Sequence, residues 1–216
     1  MPVPDHVERS RAVYSESASL YTEVVGTSVS PRFEAAEDRA ILGAYVELVA
    51  EDGLVLDAGC GTGRVARFLA EAGVAVRGTD VAPGMIREAR SAHPDILFET
   101  ASLTSFPVND ASLAGVVYWY SIITTPPNEL GGVWSELDRV LGGTGVVLVA
   151  FQAGGGEAIE RPKAYGTSTD LSLYWHDVEN VCSGLVDASV RVRSVLRRGP
   201  VLEAESTDQA FVIAGR

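Results

Sequence analysis

Cysteine and long apolar stretches are scarce in this chain. Its 216 residues contain two cysteines, Cys60 and Cys182, which are too few for a disulfide framework. No stretch approaches the ~18–20 consecutive apolar residues that a membrane span needs. The first eleven residues mix proline with acidic and basic residues and lack the apolar centre of a secretion signal. We therefore expect a cytoplasmic protein with no membrane partner.

Positive charge is scarce as well. Aspartate and glutamate number 29 against 17 lysines and arginines, the formal net charge is −12, and Lys163 is the only lysine. Affinity for nucleic acid comes mainly from lysine and arginine side chains that neutralise phosphates. In the densest basic run, strand alternation predicts that Arg191, Arg193 and Arg197 share one solvated face. We therefore expect a small-molecule partner and no nucleic acid, and we predict no metal site.

Apolar runs alternate with helical periodicity along most of the chain. Strands that are apolar throughout and alternate with helices are typical of a parallel sheet that helices cover on both faces. The predicted strands are residues 54–57, 74–80, 96–98, 113–118, 145–151, 186–195 and 209–214, and the predicted helices are residues 65–72, 83–92, 129–141 and 177–183.

This pattern predicts the fold class and the organisation of the chain. A length of 216 residues suits one domain, residues 1–216. We predict an α/β fold of the Rossmann-like, doubly wound kind, with a mostly parallel seven-stranded sheet. The Gly199-Pro200 loop joins the last two strands directly, which favours an antiparallel strand at the sheet edge. Residues 1–50 are expected to form an N-terminal helical cap, or lid, and residues 152–175, which lack clear periodicity, a loop insertion beside the ligand site.

A glycine loop after the first strand concentrates the chemistry. Gly59, Gly61 and Gly63 let backbone N–H groups approach a ligand closely. Asp80 ends the second strand about 20 residues after the loop begins, the offset at which a carboxylate binds ribose hydroxyls. The carboxyl ends of parallel strands meet at one edge of the sheet, so the loop and Asp80 should share one nucleoside site.

Two classes of nucleoside ligand fit a glycine loop with a ribose-binding acid. A nicotinamide dinucleotide requires Gly-x-Gly-x-x-Gly, and Arg64 stands where the third glycine would be. Asp57, just ahead of the loop, is unfavourable beside a pyrophosphate and suits a cationic group. These residues favour a nucleoside with an amine and no phosphate, and a nicotinamide-dependent oxidoreductase stays the alternative.

Five segments of the chain carry a set of motifs. Residues 57–63 read DAGCGTG, residues 78–86 GTDVAPGMI, residues 106–113 FPVNDASL, residues 136–141 ELDRVL, and residues 13–21 VYSESASLY. Together they resemble class I S-adenosylmethionine-dependent methyltransferases of the small-molecule type, the last being similar to a tyrosine-containing leader helix. The resemblance implies that S-adenosylmethionine donates a methyl group to a small-molecule acceptor by in-line displacement and leaves S-adenosylhomocysteine.

The resemblance also implies cofactor contacts. Asp57 would lie near the amino group of the cofactor, and Asp80 would hold both ribose hydroxyls. Ser102 stands where many family members have an aspartate at the adenine edge, so a backbone contact at the next residue becomes more important. The resemblance implies four further groups of contacts. The backbone of Gly59, Cys60 and Gly61 would line the methionine and ribose part, and Val81 and Met85 would pack on the adenine, with Ser102 and Leu103 at its edge. The carbonyl of Tyr118 would accept from the amino group, and Tyr14 and Tyr21 would close over the cofactor.

The acceptor site and the general base are less defined. Trp119 and Tyr120 follow the fourth strand, where they could orient a planar or apolar acceptor or pack in the core. Helix capping is the first explanation for His176, which precedes a predicted helix, and His176 is also the best candidate base. No catalytic residue is therefore assigned. A non-methylating protein that binds S-adenosylmethionine stays a further alternative.

Overall fold

One mixed sheet organises the part of the chain that the structure, a computed structural model, describes: residues 3–49 and 53–216. The predicted end of the helical cap at residue 50 lies outside these residues. The strands are β1 (Val55–Ala58), β2 (Val76–Asp80), β3 (Leu97–Thr100), β4 (Leu113–Trp119), β5 (Leu141–Gln152), β6 (Ala158–Arg161), β7 (Leu171–Tyr174), β8 (Arg191–Arg198) and β9 (Gln209–Gly215). The helices are α1 (Asp5–Glu16), α2 (Ala18–Val25), α3 (Ala36–Leu48), α4 (Arg64–Glu71), α5 (Pro83–Ala92), α6 (Leu130–Val140) and α7 (Val178–Asp187).

The strand order confirms the predicted fold class. Within the described residues, seven strands pair in the order β3-β2-β1-β4-β5-β9-β8, and the five strands from β3 to β5 are parallel to their neighbours. Strand β9 runs antiparallel to both β5 and β8. The order reverses between β1 and β4, and ligands of open α/β sheets bind at such a point, beyond the carboxyl ends of the strands.

Helices cover both faces of the sheet, so successive residues of the central strands enter different cores. On β4, Tyr118 packs with α6 and α7, whereas Trp119 packs on the opposite face, to which α3 and α4 contribute. The apolar runs of the sequence reflect this burial on both sides. The consequence for the site is that two adjacent aromatic residues point to different surroundings.

Residues 152–175 differ from the predicted loop insertion because they contain a β-hairpin. Strands β6 and β7 pair antiparallel, and a short 3₁₀ turn, Ala164–Gly166, lies between them. Leu171 and Leu173 alternate inward from β7 and are buried. The three glycines at 154–156 and the polar residues after them obscured this short alternation in the sequence.

The predicted helix at 177–183 and the strand that follows it also need correction. Helix α7 continues to Asp187, so β8 begins at Arg191 rather than at residue 186. Gly184 lies within this helix, and a Cβ on it would lie 2.3 Å from Nε1 of Trp134. Close packing against Trp134, rather than helix termination, therefore explains this glycine. The helix cap is Asp177, whose carboxylate accepts from the backbone N–H of Asn180, and not His176.

The N-terminal helices pack against α5 and reach over the sheet edge. A Cβ on Gly84 would lie 2.4 Å from the carbonyl oxygen of Ser15, so α1 approaches α5 more closely than another residue would allow. The hydroxyls of Ser19 and Thr22 on α2 donate to Glu88 on α5. Among the described helices, none has the length and apolar content needed to cross a membrane.

Candidate functional site

A cavity of about 290 Å³ lies at the carboxyl ends of β1, β2, β4 and β5. It therefore occupies the point where the strand order reverses. Helices α1 and α2 line it from one side, and the segments around residues 32–33 and 202–205 line it from another. Ten of the predicted cofactor residues line it: Tyr14, Tyr21, Asp57, Gly59, Cys60, Gly61, Asp80, Val81, Met85 and Leu103.

The glycine loop holds its shape through backbone hydrogen bonds and positive φ angles. The N–H groups of Gly59 and Cys60 both donate to the carbonyl of Thr79, at 2.7 and 2.8 Å. Gly61 has φ +54°, and a Cβ built on it would meet no atom within 4 Å. A side chain there would be strained and would project into open space on the cavity wall. The loop thus leaves room for a ligand beside Gly61.

The carboxylate of Asp80 is fixed by the loop that it faces. Its Oδ2 accepts from the N–H of Gly61 at 2.9 Å, and its Oδ1 accepts from the N–H of Ala82 at 2.8 Å. Burial raises the pKa of Asp80, while these two N–H groups lower it. A carboxylate can accept about four hydrogen bonds, so both oxygens keep acceptor capacity. Two oriented acceptors of this kind suit a pair of neighbouring hydroxyls.

Asp57 is a carboxylate in the cavity wall that is almost fully buried and only partly hydrogen-bonded. Its side chain is 1% exposed, and its Oδ2 accepts from the N–H of Ala66 at 2.9 Å. Its Oδ1 is buried without a hydrogen-bond partner among residues 3–49 and 53–216. Burial raises the pKa of Asp57 to about 7, the Ala66 N–H lowers it, and the charge of Asp80 raises it further. A cationic ligand would relieve both the missing partner and the buried charge.

Three other predicted cofactor contacts, Cys60, Ser102 and Tyr118, have side chains that are buried or lie outside the cavity lining. Cys60 is buried, and burial raises the pKa of its thiol well above the ordinary value, so it is no ready nucleophile. Ser102 is outside the cavity lining, and its hydroxyl lies 3.0 Å from that of Thr104. The ring of Tyr118 packs edge-on against Trp134 in the core. The cofactor roles of Ser102 and of the Tyr118 carbonyl stay predictions.

Three tyrosines from different parts of the chain meet at the cavity. Tyr14 and Tyr21 lie edge-on at 6.3 Å, and Tyr165 lies 5.6 and 5.9 Å from them. Burial raises the pKa of Tyr14 well above its ordinary value, and that of Tyr21 also rises. Tyr165, from the turn between β6 and β7, was missed because its segment shows no periodicity in the sequence. These rings form a wall that we call the tyrosine cluster: Tyr14, Tyr21 and Tyr165.

The predicted acceptor residues and the candidate base separate in the structure. Trp119 and Tyr120 line the cavity, with their rings edge-on at 5.7 Å. His176 lies outside this lining, is 1% exposed, and has Nε2 3.1 Å from the carbonyl oxygen of Ile122. Burial lowers the pKa of His176. The histidine borders a second cavity, of about 560 Å³, between α6 and α7. It therefore makes no contact with the cavity at the glycine loop.

A buried ion-pair network stands behind the cavity and was not expected from the sequence. Arg198 donates to both carboxylate oxygens of Asp38, at 2.7 and 2.6 Å, and to both of Glu205, at 2.8 and 2.6 Å. Only Glu205 of the three lines the cavity. The sequence predicts a solvated face for Arg191, Arg193 and Arg197 and nothing for Arg198, because nothing local indicates a partner 160 residues away.

Comparisons with known proteins agree with this geometry. Residues 55–145 match the family model of the methyltransferase domain. A malonyl-[acyl-carrier protein] O-methyltransferase from Pseudescherichia vulneris is 32% identical over 101 residues, which are 47% of this chain and 39% of that protein. The solved [4+2]-cyclase SpnF has a TM-score of 0.76 at 15% identity, covering 100% of this chain and 98% of that one. The Burkholderia thailandensis 1,6-didemethyltoxoflavin-N1-methyltransferase, solved with 1,6-didemethyltoxoflavin and S-adenosylhomocysteine, has a TM-score of 0.70 at 17% identity, covering 100% and 92%.

Residues 55–145 match the methyltransferase domain family, and this match supports the predicted resemblance to class I methyltransferases. S-adenosylmethionine is the cofactor of that family, as the sequence analysis predicted. The two solved structures share too little sequence to indicate more than the fold. The chain aligns with about two fifths of the length of the curated relatives that it matches.

Proposed function

We propose that this chain transfers a methyl group from S-adenosylmethionine to a small-molecule acceptor by in-line displacement. The observation that carries the proposal is a pair of carboxylates beside an open glycine loop, that of Asp57 buried and that of Asp80 half-buried. Asp57 has an oxygen without a partner among the described residues, and Asp80 presents two oriented oxygens. A carboxylate beside the loop repels phosphates and attracts a cation. The site therefore suits a nucleoside that carries an amine and no phosphate.

The predicted contact residues fit this cofactor in their chemistry. The carboxylate of Asp80 would accept from both ribose hydroxyls, and the unpartnered oxygen of Asp57 would face the amino group. The open space beside Gly61 would admit the methionine part. Val81 and Met85 would pack on the adenine ring, since both line the cavity and Met85 is 1% exposed.

Positioning and exclusion of water would do most of the catalytic work. When bound, S-adenosylmethionine supplies a methyl group on a cationic sulfur, and the sulfur takes the electron pair of the broken bond as the acceptor's lone pair bonds to carbon. The tyrosine cluster would shield this exchange from water, and the walls formed by Trp119 and Tyr120 would align the acceptor. His176 makes no contact with the cavity, so the proposal assigns no histidine base.

The names of the matched proteins give different acceptors and identify none for this chain. One acts, by its name, on a malonyl group carried by acyl-carrier protein, and a structural neighbour holds 1,6-didemethyltoxoflavin. The similar fold of a [4+2]-cyclase keeps a non-methylating use of the same cavity as the second possibility. Turnover, rather than binding, separates the two.

Titration calorimetry tests the cofactor class first. S-adenosylhomocysteine should bind the purified chain at one site, and NADH should not bind. Binding of NADH with no binding of S-adenosylhomocysteine would refute the proposal. The second step follows methyl-labelled S-adenosylmethionine with a small-metabolite extract as the acceptor source. Label should move into an extract component, and S-adenosylhomocysteine should accumulate. Binding without any transfer would favour the non-methylating alternative.

A further inference from the structure

Two glutamines lie side by side at the end of the cavity away from the glycine loop. Gln152 ends β5 and pairs in register with Gln209, which begins β9. Directly opposed residues of an antiparallel pair point to the same face of the sheet. Phe211, two residues along β9, packs on that face against Trp119 at 5.5 Å. Both glutamines and Trp119 line the cavity.

These polar groups differ in whether the protein already satisfies them. The amide of Gln209 donates to the carbonyl of Thr207 at 2.8 Å. In contrast, the Oε1 of Gln152 and the Nε1 of Trp119 are buried without hydrogen-bond partners in the described part of the chain. Trp119 is only 5% exposed. A buried polar group that lacks a partner is destabilising, so these two groups are suited to a ligand.

Charge at this end of the cavity is largely neutralised within the protein. Glu205 lines the cavity, but both of its oxygens accept from Arg198. Burial raises the pKa of Tyr120 well above its ordinary value, so its hydroxyl stays neutral. Arg32 also lines the cavity, but its exposed guanidinium lies over the ring of Phe33 at 5.1 Å. Arg64 lines the cavity as well, and its guanidinium pairs with the buried carboxylate of Glu34. The buried groups therefore favour an uncharged ligand.

We propose that Gln152 and Trp119 recognise the methyl acceptor, and that this acceptor is an uncharged planar molecule with a lactam-like edge. A lactam presents a ring N–H next to a carbonyl. The N–H would donate to Oε1 of Gln152, and the carbonyl would accept from the amide nitrogen of Gln152 or from the indole of Trp119. Trp119 and Tyr120 would provide the aromatic walls for a planar ring. This inference rests on the proposed function, because it assigns the acceptor end of the same cavity.

The test uses three bicyclic probes on protein saturated with S-adenosylhomocysteine. Quinazolin-4-one carries the lactam edge, quinazoline lacks it, and 2-naphthoate carries a carboxylate. Titration calorimetry measures each probe against wild type, Gln152→Met and Arg32→Ala. Methionine keeps the length of the glutamine side chain and removes its hydrogen-bonding groups. The Arg32→Ala variant removes an exposed guanidinium that lines the cavity and serves as the matched control.

The expected result is selective binding of quinazolin-4-one to wild type, weakened between about 5-fold and about 30-fold in Gln152→Met, as the loss of one or two neutral hydrogen bonds implies. Binding of quinazoline should change little in Gln152→Met, and Arg32→Ala should bind quinazolin-4-one like wild type. Three results would overturn the inference: no binding of quinazolin-4-one, equal binding to wild type and Gln152→Met, or preferred binding of 2-naphthoate that Arg32→Ala abolishes. Affinity for S-adenosylhomocysteine is measured first in wild type and in both variants. A wild-type protein that does not bind S-adenosylhomocysteine would refute the proposed function itself.

Discussion

Replacing Asp57 with asparagine should stabilise the empty protein and weaken its hold on the cofactor. The carboxylate is 1% exposed and has one oxygen without a partner among the described residues. Asparagine keeps the shape and an oxygen that can accept from the N–H of Ala66. It removes the buried negative charge, which forms no ion pair among the described residues.

The size of the effect follows from the pKa of Asp57, which burial raises from 3.8 to about 7. At about 1.4 kcal/mol for each pH unit, ionised Asp57 lowers the free energy of unfolding by roughly 4 kcal/mol at most. The folded state holds the proton between about pH 4 and pH 7, where the unfolded chain has lost it. Wild type therefore loses stability as the pH rises through this window. The advantage of Asp57→Asn should grow between these pH values and stay constant above about pH 7.

Urea denaturation at several pH values, without ligand, measures this difference. Asp38→Asn is the matched control, because Asp38 is equally buried but is paired with Arg198. Removing one partner of a buried ion pair is destabilising, so this control should shift in the opposite direction. At pH 8, Asp57→Asn should also bind S-adenosylhomocysteine at least about tenfold more weakly, because a charge-assisted contact is lost. An Asp57→Asn protein that is less stable than wild type at pH 8 would show that ionised Asp57 does not destabilise the empty protein.

Three further substitutions have defined outcomes. Asp80→Ala should weaken binding of S-adenosylhomocysteine by about 1–3 kcal/mol, measured by calorimetry, because it removes the oriented acceptor for the ribose; unchanged affinity would contradict the assigned role. Tyr165→Ala should speed release of S-adenosylhomocysteine in stopped-flow experiments, while Tyr165→Phe, which keeps the ring, should release it like wild type. His176→Ala should lower the free energy of unfolding by about 1–3 kcal/mol through loss of the buried contact with Ile122, and any large change in affinity for S-adenosylhomocysteine would place His176 in the site after all.

The sequence predicted the parts of the site that depend on local chemistry. The glycine loop, Asp57 and Asp80 are recognisable because strand ends and glycines follow one another in the chain, and parallel strands bring those ends to one edge. The fold class followed from apolar runs that alternate with helical periodicity. The end of helix α7 was predicted too early because Gly184 resembles a helix stop in the sequence. In the structure this glycine allows close contact with Trp134, which a single sequence does not reveal.

The parts that escaped prediction depend on distant contacts. Tyr165 joins Tyr14 and Tyr21 only because the hairpin of β6 and β7 reaches the N-terminal helices. Gln152 has a distinctive environment only through its register with Gln209, 57 residues later. The burial of Arg198 likewise depends on Asp38 from α3. Each of these contacts needs the folded chain to be seen.

A crystal structure of the chain with S-adenosylhomocysteine would show whether Asp57 and Asp80 hold the cofactor. We expect the ribose hydroxyls within hydrogen-bond distance of the Asp80 carboxylate and the amino group of the ligand beside Asp57. Ligand in the cavity between α6 and α7, or at the glycine loop without contact to either aspartate, would contradict this expectation.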